Sequence, residues 1–479
     1  MKLSKRKNKF FQKRIVKPIF LVFFILLIYT SIVFDIGFFR NTIYSYIYKK
    51  FKNDNFIRQE NINCDKYDPI FLMGERFKKN PISLCKSKKS NHLCYQISKY
   101  NKYSKIPEIK YGVICKSENF ILNPFKSSQA DYIFKGTFDK VHRGNPILSK
   151  GFFHMKCNID QNIRKYHKFY ETYFNSWKYE NENENEENER KEQIPELAPG
   201  KTILFISRNH DSSNLFHGIS EFINALSIIY LFDLNPENIQ IIFLESMIFQ
   251  NEPLYDLFKT IISRGGEPIL LRNLKQRYHI NSAFHIPINY DSPLFIKLNN
   301  KKGFPDCKYS TQTYNILNYI INKYLNISIF KDSFVSDEDI FYYPESIIKK
   351  SKLNNTFNKT ITIQWRKVWP RDRINQQRIL GNGPELADKL ASILPKNYLI
   401  RLVDTAPLSI EDQISIMKKT DYLIGVHGAG LSLSIFMPYQ SIVYEILPKE
   451  NIKVLRLMSA LSGHKVYFDI IKSELKNHI

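Results

Sequence analysis

Asp421-Tyr-Leu-Ile-Gly-Val-His427-Gly428-Ala429-Gly430-Leu-Ser-Leu-Ser-Ile-Phe-Met-Pro438 is an apolar run that passes through His-Gly-Ala-Gly directly into a second apolar run. Tyr422 to Val426 has the length and composition of a buried strand, and Leu431 to Phe436 reads as a short helix. The small residues between them let a ligand come close to the backbone, and a helix start offers amide hydrogens that have no acceptor. That pairing seats a diphosphate, with the imidazole of His427 as a further donor. The competing reading is a tight turn that needs glycine and a histidine that caps it. A position at the carboxyl end of a strand in a doubly wound sheet favours the anion.

The same alternation continues on both sides of this stretch. Ile361 to Trp365 reads as a strand, Pro384 to Leu394 as a helix with proline in its first turn after Gly383, and Tyr398 to Val403 as a strand. Ser409-Ile-Glu-Asp412 has a capping-box pattern that opens a helix to Lys419. Ser441 to Ile446 is a strand, Ile452 to Leu461 a helix and Val466 to Ile470 a last strand. Five strands with helices between them predict a parallel, Rossmann-like domain over 346–479. An earlier alternation begins at Lys201. Strands are expected over Lys201 to Arg208, Ile239 to Glu245 and Pro268 to Leu274, with helices over Leu215 to Tyr230 and around Leu254 to Ile262. A helix from Thr311 to Leu325 leads toward the second domain. The fold class expected is therefore α/β with two Rossmann-like domains across a cleft, the GT-B arrangement, the first domain spanning 61–345.

Composition places this pair of domains in a cellular setting. The formal charge is +24, and eight of the cations (Lys2, Lys5, Arg6, Lys7, Lys9, Lys13, Arg14, Lys17) precede the first apolar run, leaving +16 for the remainder. That remainder is spread through a Lys- and Asn-rich chain without a basic stripe interleaved with aromatics, which argues against nucleic acid. Residues 18–39 are long and apolar enough to span a bilayer, broken only by Asp35. The basic residues 1–17 before them put the tail in the cytosol and the bulk of the chain in the lumen, a type II signal anchor. A cleaved signal peptide is the rival, but Phe-Asp-Ile-Gly-Phe-Phe-Arg follows where small residues would be needed. Residues 40–60 read as a polar stem, and the acidic repeat within 180–195 as a solvated insertion. Six cysteines (Cys64, Cys85, Cys94, Cys115, Cys157, Cys307) without a CxxC pair predict disulfides rather than zinc. Asn326, Asn354 and Asn358 begin glycosylation sequons.

Two further segments carry candidate chemistry. Arg366, Arg371, Arg373 and Asn375 follow the first strand of the second domain, where guanidinium groups reach the edge shared with His427 and can neutralise a leaving pyrophosphate without a metal. An exposed basic loop is the plain alternative. Asn214 precedes the first long helix, on which His217 and Glu221 stand four residues apart and so share a face. An imidazole and a carboxylate so placed suit a general base and its orienting partner for an acceptor hydroxyl. A capped amphipathic helix would use the same residues for packing.

The segments NLFHGISEF, WRKVWPRDRIN and YLIGVHGAGLSLSIFMPYQSIVYEI together resemble glycosyltransferase family 61, over about residues 200–470. That family includes plant core xylosyltransferases and arabinosyltransferases and the animal O-linked N-acetylglucosaminyltransferases of the endoplasmic reticulum. The resemblance implies a GT-B fold, inversion at the anomeric carbon and no metal or other cofactor. It also implies a nucleotide sugar as co-substrate, a UDP-sugar carrying N-acetylglucosamine or a pentose, and a glycoprotein or glycan acceptor in the Golgi or endoplasmic reticulum. Donor binding is implied at Arg366, Arg373, Asn375, His427, Gly428, Ala429, Gly430 and Glu445, the last toward the ribose hydroxyls. Asn214 and His217 match the family's Asn-x-x-His, and Glu221 stands where several members have aspartate. The spacer between Arg366 and Arg373 is longer than in the family pattern. Two other readings compete: a metal-dependent GT-A-type transferase using Asp337 and Asp339, which sit outside both strand patterns and read as a helix start, and a luminal glycan- or nucleotide-binding protein without turnover.

Overall fold

From Lys359 onward the described strands lie parallel to one another. The computed structural model describes residues 81–96, 113–128, 147–159, 173, 175–181, 193–207, 215–244, 254–286, 311–325, 340–353, 356–365, 383–447 and 464–470. The second sheet contains β13 (Phe341–Tyr342), β14 (Lys359–Gln364), β15 (Tyr398–Val403), β16 (Tyr422–Val426), β17 (Ile442–Leu447) and β18 (Lys465–Ile470), in the order β13-β15-β14-β16-β17-β18. Apart from the antiparallel edge strand β13, all neighbours are parallel. Counted from β14, this is the flavodoxin-like order 2-1-3-4-5, whose switch point lies between the carboxyl ends of β14 and β16.

The first sheet has ten strands. Its parallel part comprises β9 (Thr202–Ile206), β10 (Ile239–Phe243), β11 (Ile269–Leu270) and β12 (Tyr278–Ile286), in the order β11-β10-β9-β12. This too has a switch point, between β9 and β12. On the far side of β12 the cysteine-bearing segment adds antiparallel strands: β3 (Val113–Leu122), β2 (Asn91–Gln96), β1 (Ile82–Lys86) and β7 (Asn158–Ile159). β6 (Phe153–Lys156) pairs with β3, and β8 (Trp177–Glu180) with β6, while β4 (Ser127–Ser128) and β5 (Ile147–Leu148) form a separate pair. Disulfides Cys85–Cys157 and Cys94–Cys115 staple this extension, the second joining residues directly opposite one another on β2 and β3. Cys64 and Cys307 lie outside the described residues.

Burial explains why these strands read as continuous apolar runs. β10 is buried at every position, and β9 sends Leu204 and Ile206 to one core and Ile203 and Phe205 to the other. The first long helix, α1 (Leu215–Phe232), is buried from Phe216 through Ile229. It is apolar and long enough to cross a membrane by composition, yet it lies inside the protein as a core helix. α2 (Gln312–Tyr324), capped by Thr311 Oγ1 on the Tyr314 amide at 3.3 Å, packs beside α1. α1, α2 and α5 (Ile410–Lys418) share one apolar core with strands of both sheets, while α3 (Glu345–Lys352) and α4 (Gly383–Ile393) cover the opposite face of the second sheet. The Ser409 cap of α5 forms as the sequence predicts, with Oγ accepting from the Asp412 amide at 3.1 Å.

Three elements differ from the sequence reading. The strand expected over Pro268 to Leu274 shortens to Ile269–Leu270 and then coils into a 3-10 turn, because Leu271 and Leu274 turn down into the core. β12 has no counterpart in the sequence reading, although it joins the parallel and antiparallel halves of the sheet. The short helix after His-Gly-Ala-Gly is a 3-10 helix, Ala429–Phe436. The anchor at 18–39, the stem at 40–60, the acidic run at 182–192 and the helix expected over Ile452 to Leu461 lie outside the described residues.

Arg401 is fully buried in the middle of β15. Its Nε donates to Thr362 Oγ1 at 3.1 Å and its Nη2 to the Ile416 carbonyl at 3.0 Å, tying β15 to β14 and to the end of α5. The first sheet buries histidines instead. His92 lies between Tyr179 Oη at 2.9 Å and Tyr173 Oη at 3.2 Å, with its ring 4.3 Å from that of Trp177. His285 stacks on Phe205 and hydrogen-bonds Ser117. Burial holds His92 down to about 3, and burial together with the neighbouring His92 holds His285 well below its ordinary value. Both rings stay neutral in the fold and become protonated on unfolding, so their stabilising effect is complete above pH 6.5 and declines as pH falls from 6.5 toward 3. Stability measured by denaturant titration should therefore fall between pH 6.5 and 5 by up to about 1.4 kcal/mol per pH unit for each histidine. His92→Phe should flatten that slope, and an unchanged slope would contradict the assignment.

Candidate functional site

The switch point of the second sheet is built from the ends of β14, β15 and β16. Gln364 closes β14, Thr405 lies two residues beyond β15, and His427 follows β16. Backbone bonds continue past the strand ends: the Trp365 amide donates to Val403, joining β14 to β15, and the His427 amide to Ile446, joining β16 to β17, at 2.7 and 2.8 Å. Within the crevice His427 is buried, 4% exposed, and its Nδ1 pairs with Glu445 Oε1 at 2.5 Å. Glu445 stands on β17 directly opposite Gly425, so the carboxylate reaches His427 from the adjoining strand. With Nδ1 engaged by the carboxylate, Nε2 is the ring nitrogen left to meet a ligand. Glu445, which the resemblance places toward the ribose, is buried and pairs with His427 in this structure.

The 3-10 helix Ala429–Phe436 begins where His427 ends. Such a helix leaves its first amides without internal acceptors, and no side-chain cap bond covers its Gly428 N-cap. Its other end is fixed. His464 Nε2 donates to the Ser434 carbonyl at 2.8 Å, and Tyr314 Oη donates to the Met437 carbonyl at 2.5 Å. Burial lowers His464 to about 4 and pushes Tyr314 up to about 12, so both act as neutral donors near neutral pH.

α1 packs against this 3-10 helix. The element carrying His217 and Glu221 thus meets the element that starts at the His427–Gly430 turn. α1 also follows β9, the strand at the first sheet's own switch point, so its N-terminal turn belongs to that crevice. His217 is 8% exposed and Glu221 is wholly buried, which suits a ring that meets substrate and a carboxylate behind it. Ser220 and Ser227 satisfy their hydroxyls on carbonyls one turn back, at 2.7 Å each. Asn224, one turn beyond Glu221, is buried with neither amide atom hydrogen-bonded among the described residues. Burial in that state costs a few kcal/mol, a cost folds accept mainly at functional sites.

Asn214, Arg366, Arg373 and Asn375 lie outside the described residues, as do Asp337 and Asp339. Among the described residues, one group of ligand-type side chains is close enough to hold a metal, His92 with Cys94 and Cys115, and the disulfide between the two cysteines removes their thiolates. Two residues at the second crevice have no role in the sequence reading. Gln364 lies against the glycines of the turn, and Thr405 accepts its amide at 3.1 Å. The signal for Gln364 was indirect: Gly425 and Gly430 are both small at positions that one larger side chain must fill.

Comparison with curated proteins gives no match. Comparison with protein families gives one: residues 301–444 match the family described as Glycosyltransferase 61. The matched stretch runs from before α2 into β17 and contains the crevice between β14 and β16, while His217 and Glu221 precede it. Through that stretch the chain is similar to glycosyltransferase family 61, and this similarity supports a transferase activity.

Proposed function

We propose that the chain transfers a sugar from a nucleotide-activated donor, held at the switch point of the second sheet, to a hydroxyl of a glycoprotein or glycan. The observation that carries this reading is the convergence of β14 and β16 on a turn whose amides, together with His427 Nε2, can receive a diphosphate. Contact between α1 and the 3-10 helix supports an acceptor side formed by His217 and Glu221, the cleft arrangement of a GT-B enzyme.

In this mechanism His217 takes the proton of the acceptor hydroxyl while Glu221 orients its ring. The acceptor oxygen attacks the anomeric carbon from the side opposite the phosphate, a new carbon–oxygen bond forms, and the nucleoside diphosphate departs with the electrons of the broken bond. Configuration inverts. The charge on the departing oxygen is met by the amides of Ala429 and Gly430, by His427, and by Arg366 and Arg373, so that no metal is required. Residues 18–39 anchor the catalytic part on the lumenal side of a Golgi or endoplasmic reticulum membrane.

Screening UDP-N-acetylglucosamine, UDP-xylose and UDP-arabinose by thermal shift on the detergent-solubilised full chain tests the donor site. One of them should stabilise the protein by about 2.7 kcal/mol at a hundredfold excess over its Kd. His427→Ala should remove that shift, and Glu445→Gln should weaken it by about tenfold or more in affinity, as expected for loss of a charge-assisted hydrogen bond. Stabilisation by none of the three, or by all equally in His427→Ala, would defeat the assignment.

Transfer is tested separately. His217→Ala should lower kcat by about a hundredfold or more while the donor-induced shift persists. Activity should survive EDTA. Loss in chelator with recovery in Mn²⁺ would instead favour the metal-dependent reading through Asp337 and Asp339, and donor binding without turnover would favour a binding protein.

A further inference from the structure

We propose that Gln364 is the positioning residue of the His427–Gly430 turn, an inference that rests on reading this turn as the donor's diphosphate seat. Gln364 ends β14 with 8% exposure, and its Nε2 donates to Thr405 Oγ1 at 3.1 Å. A methyl group at Gly430 would lie 2.1 Å from that Nε2, 2.8 Å from Cδ and 2.9 Å from Oε1. A methyl group at Gly425 would lie 3.3 Å from Gln364 Cβ and 3.4 Å from Oε1, and 2.8 Å from Leu431 Cδ2. The carboxamide thus occupies the space that side chains at both glycines would need, and the turn after β16 rests directly on it. Glycine at 430 is demanded by the amide beneath it rather than by a ligand above it.

This contact fixes the geometry of the anion seat. Gln364 is joined to β15 through Thr405 and to β16 through the glycines, so one side chain spans the ends of three strands at the switch point. The first amides of the 3-10 helix take their height above the sheet from the thickness of that carboxamide. A smaller side chain lets the turn sink, and a larger residue at 430 lifts it. Amide hydrogens that bind a diphosphate need placement to within a few tenths of an ångström, because hydrogen bonds weaken steeply with distance and angle.

The test uses size complementation in the full chain, read by melting temperature and by affinity for UDP, GDP and CDP as probes. Gln364→Ala should retain a cooperative melt and weaken binding of the preferred diphosphate by about tenfold, the effect of misplacing one or two amide hydrogen bonds. Gly430→Ala should lower both the melting temperature and the affinity. Adding Gln364→Ala to Gly430→Ala should restore part of both, because the methyl group then fills the vacated space. A residue that merely supports the fold would change the melting temperature and leave the affinity of the folded protein alone. If the wild-type chain binds none of the three diphosphates, the reading of the seat is overturned and this inference with it. If the wild-type chain binds and Gln364→Ala binds equally well, or the double variant is no better than Gly430→Ala, the inference alone is overturned.

Discussion

The reversal of strand order between β14 and β16 is the constraint on which the rest of the structure depends. Helices that follow strands on either side of this point cover opposite faces of the sheet, and among the described residues no helix lies between the carboxyl ends of β14 and β16. The residues around the opening are specialised accordingly: Gln364 supports the turn from below, Glu445 holds His427 from the adjoining strand, and His464 and Tyr314 fix the far end of the 3-10 helix. Each is buried and each makes a named hydrogen bond, which keeps the open amides in place before any ligand arrives.

The first sheet repeats this logic with different materials. Its parallel strands have their own switch point beside the start of α1, and α1 carries a polar stripe through an otherwise apolar core. Because α1 packs on the 3-10 helix of the second crevice, the two parts of the proposed site are joined through that helix pair. A shift in the 3-10 helix therefore acts on α1 directly. The antiparallel extension, stapled by Cys85–Cys157 and Cys94–Cys115, stiffens the far side of β12, one of the two strands of the first switch point.

Much of the second sheet was legible because local signals agree with the fold there. β14 through β18 are short β-branched runs, the Ser409 cap forms where the pattern places it, and His-Gly-Ala-Gly follows a strand as expected. What stayed hidden is what depends on partners distant in sequence. Arg401 in the run YLIRLV looks like a surface cation, and the hydroxyls of Thr362 and Thr420 and the carbonyl of Ile416 help to make its burial tolerable. β12 escaped notice because histidines and asparagine interrupt its apolar positions, yet His285 is satisfied by Ser117 and an aromatic core. The pairing of Glu445 with His427 stayed hidden because the strand order alone does not reveal that the two are neighbours. Gln364 gave no signal of its own, since a glutamine at a strand end is ordinary until the glycines opposite are seen to rest on it.

The central claim is that a nucleoside diphosphate is seated on the amides that open the 3-10 helix. A crystal structure of the full chain with UDP bound tests it most directly. The account predicts phosphate oxygens within hydrogen-bonding distance of the Ala429 and Gly430 amides and of His427 Nε2, between the ends of β14 and β16. Phosphates found instead at the switch point between β9 and β12, or on the surface away from both sheets, would contradict it.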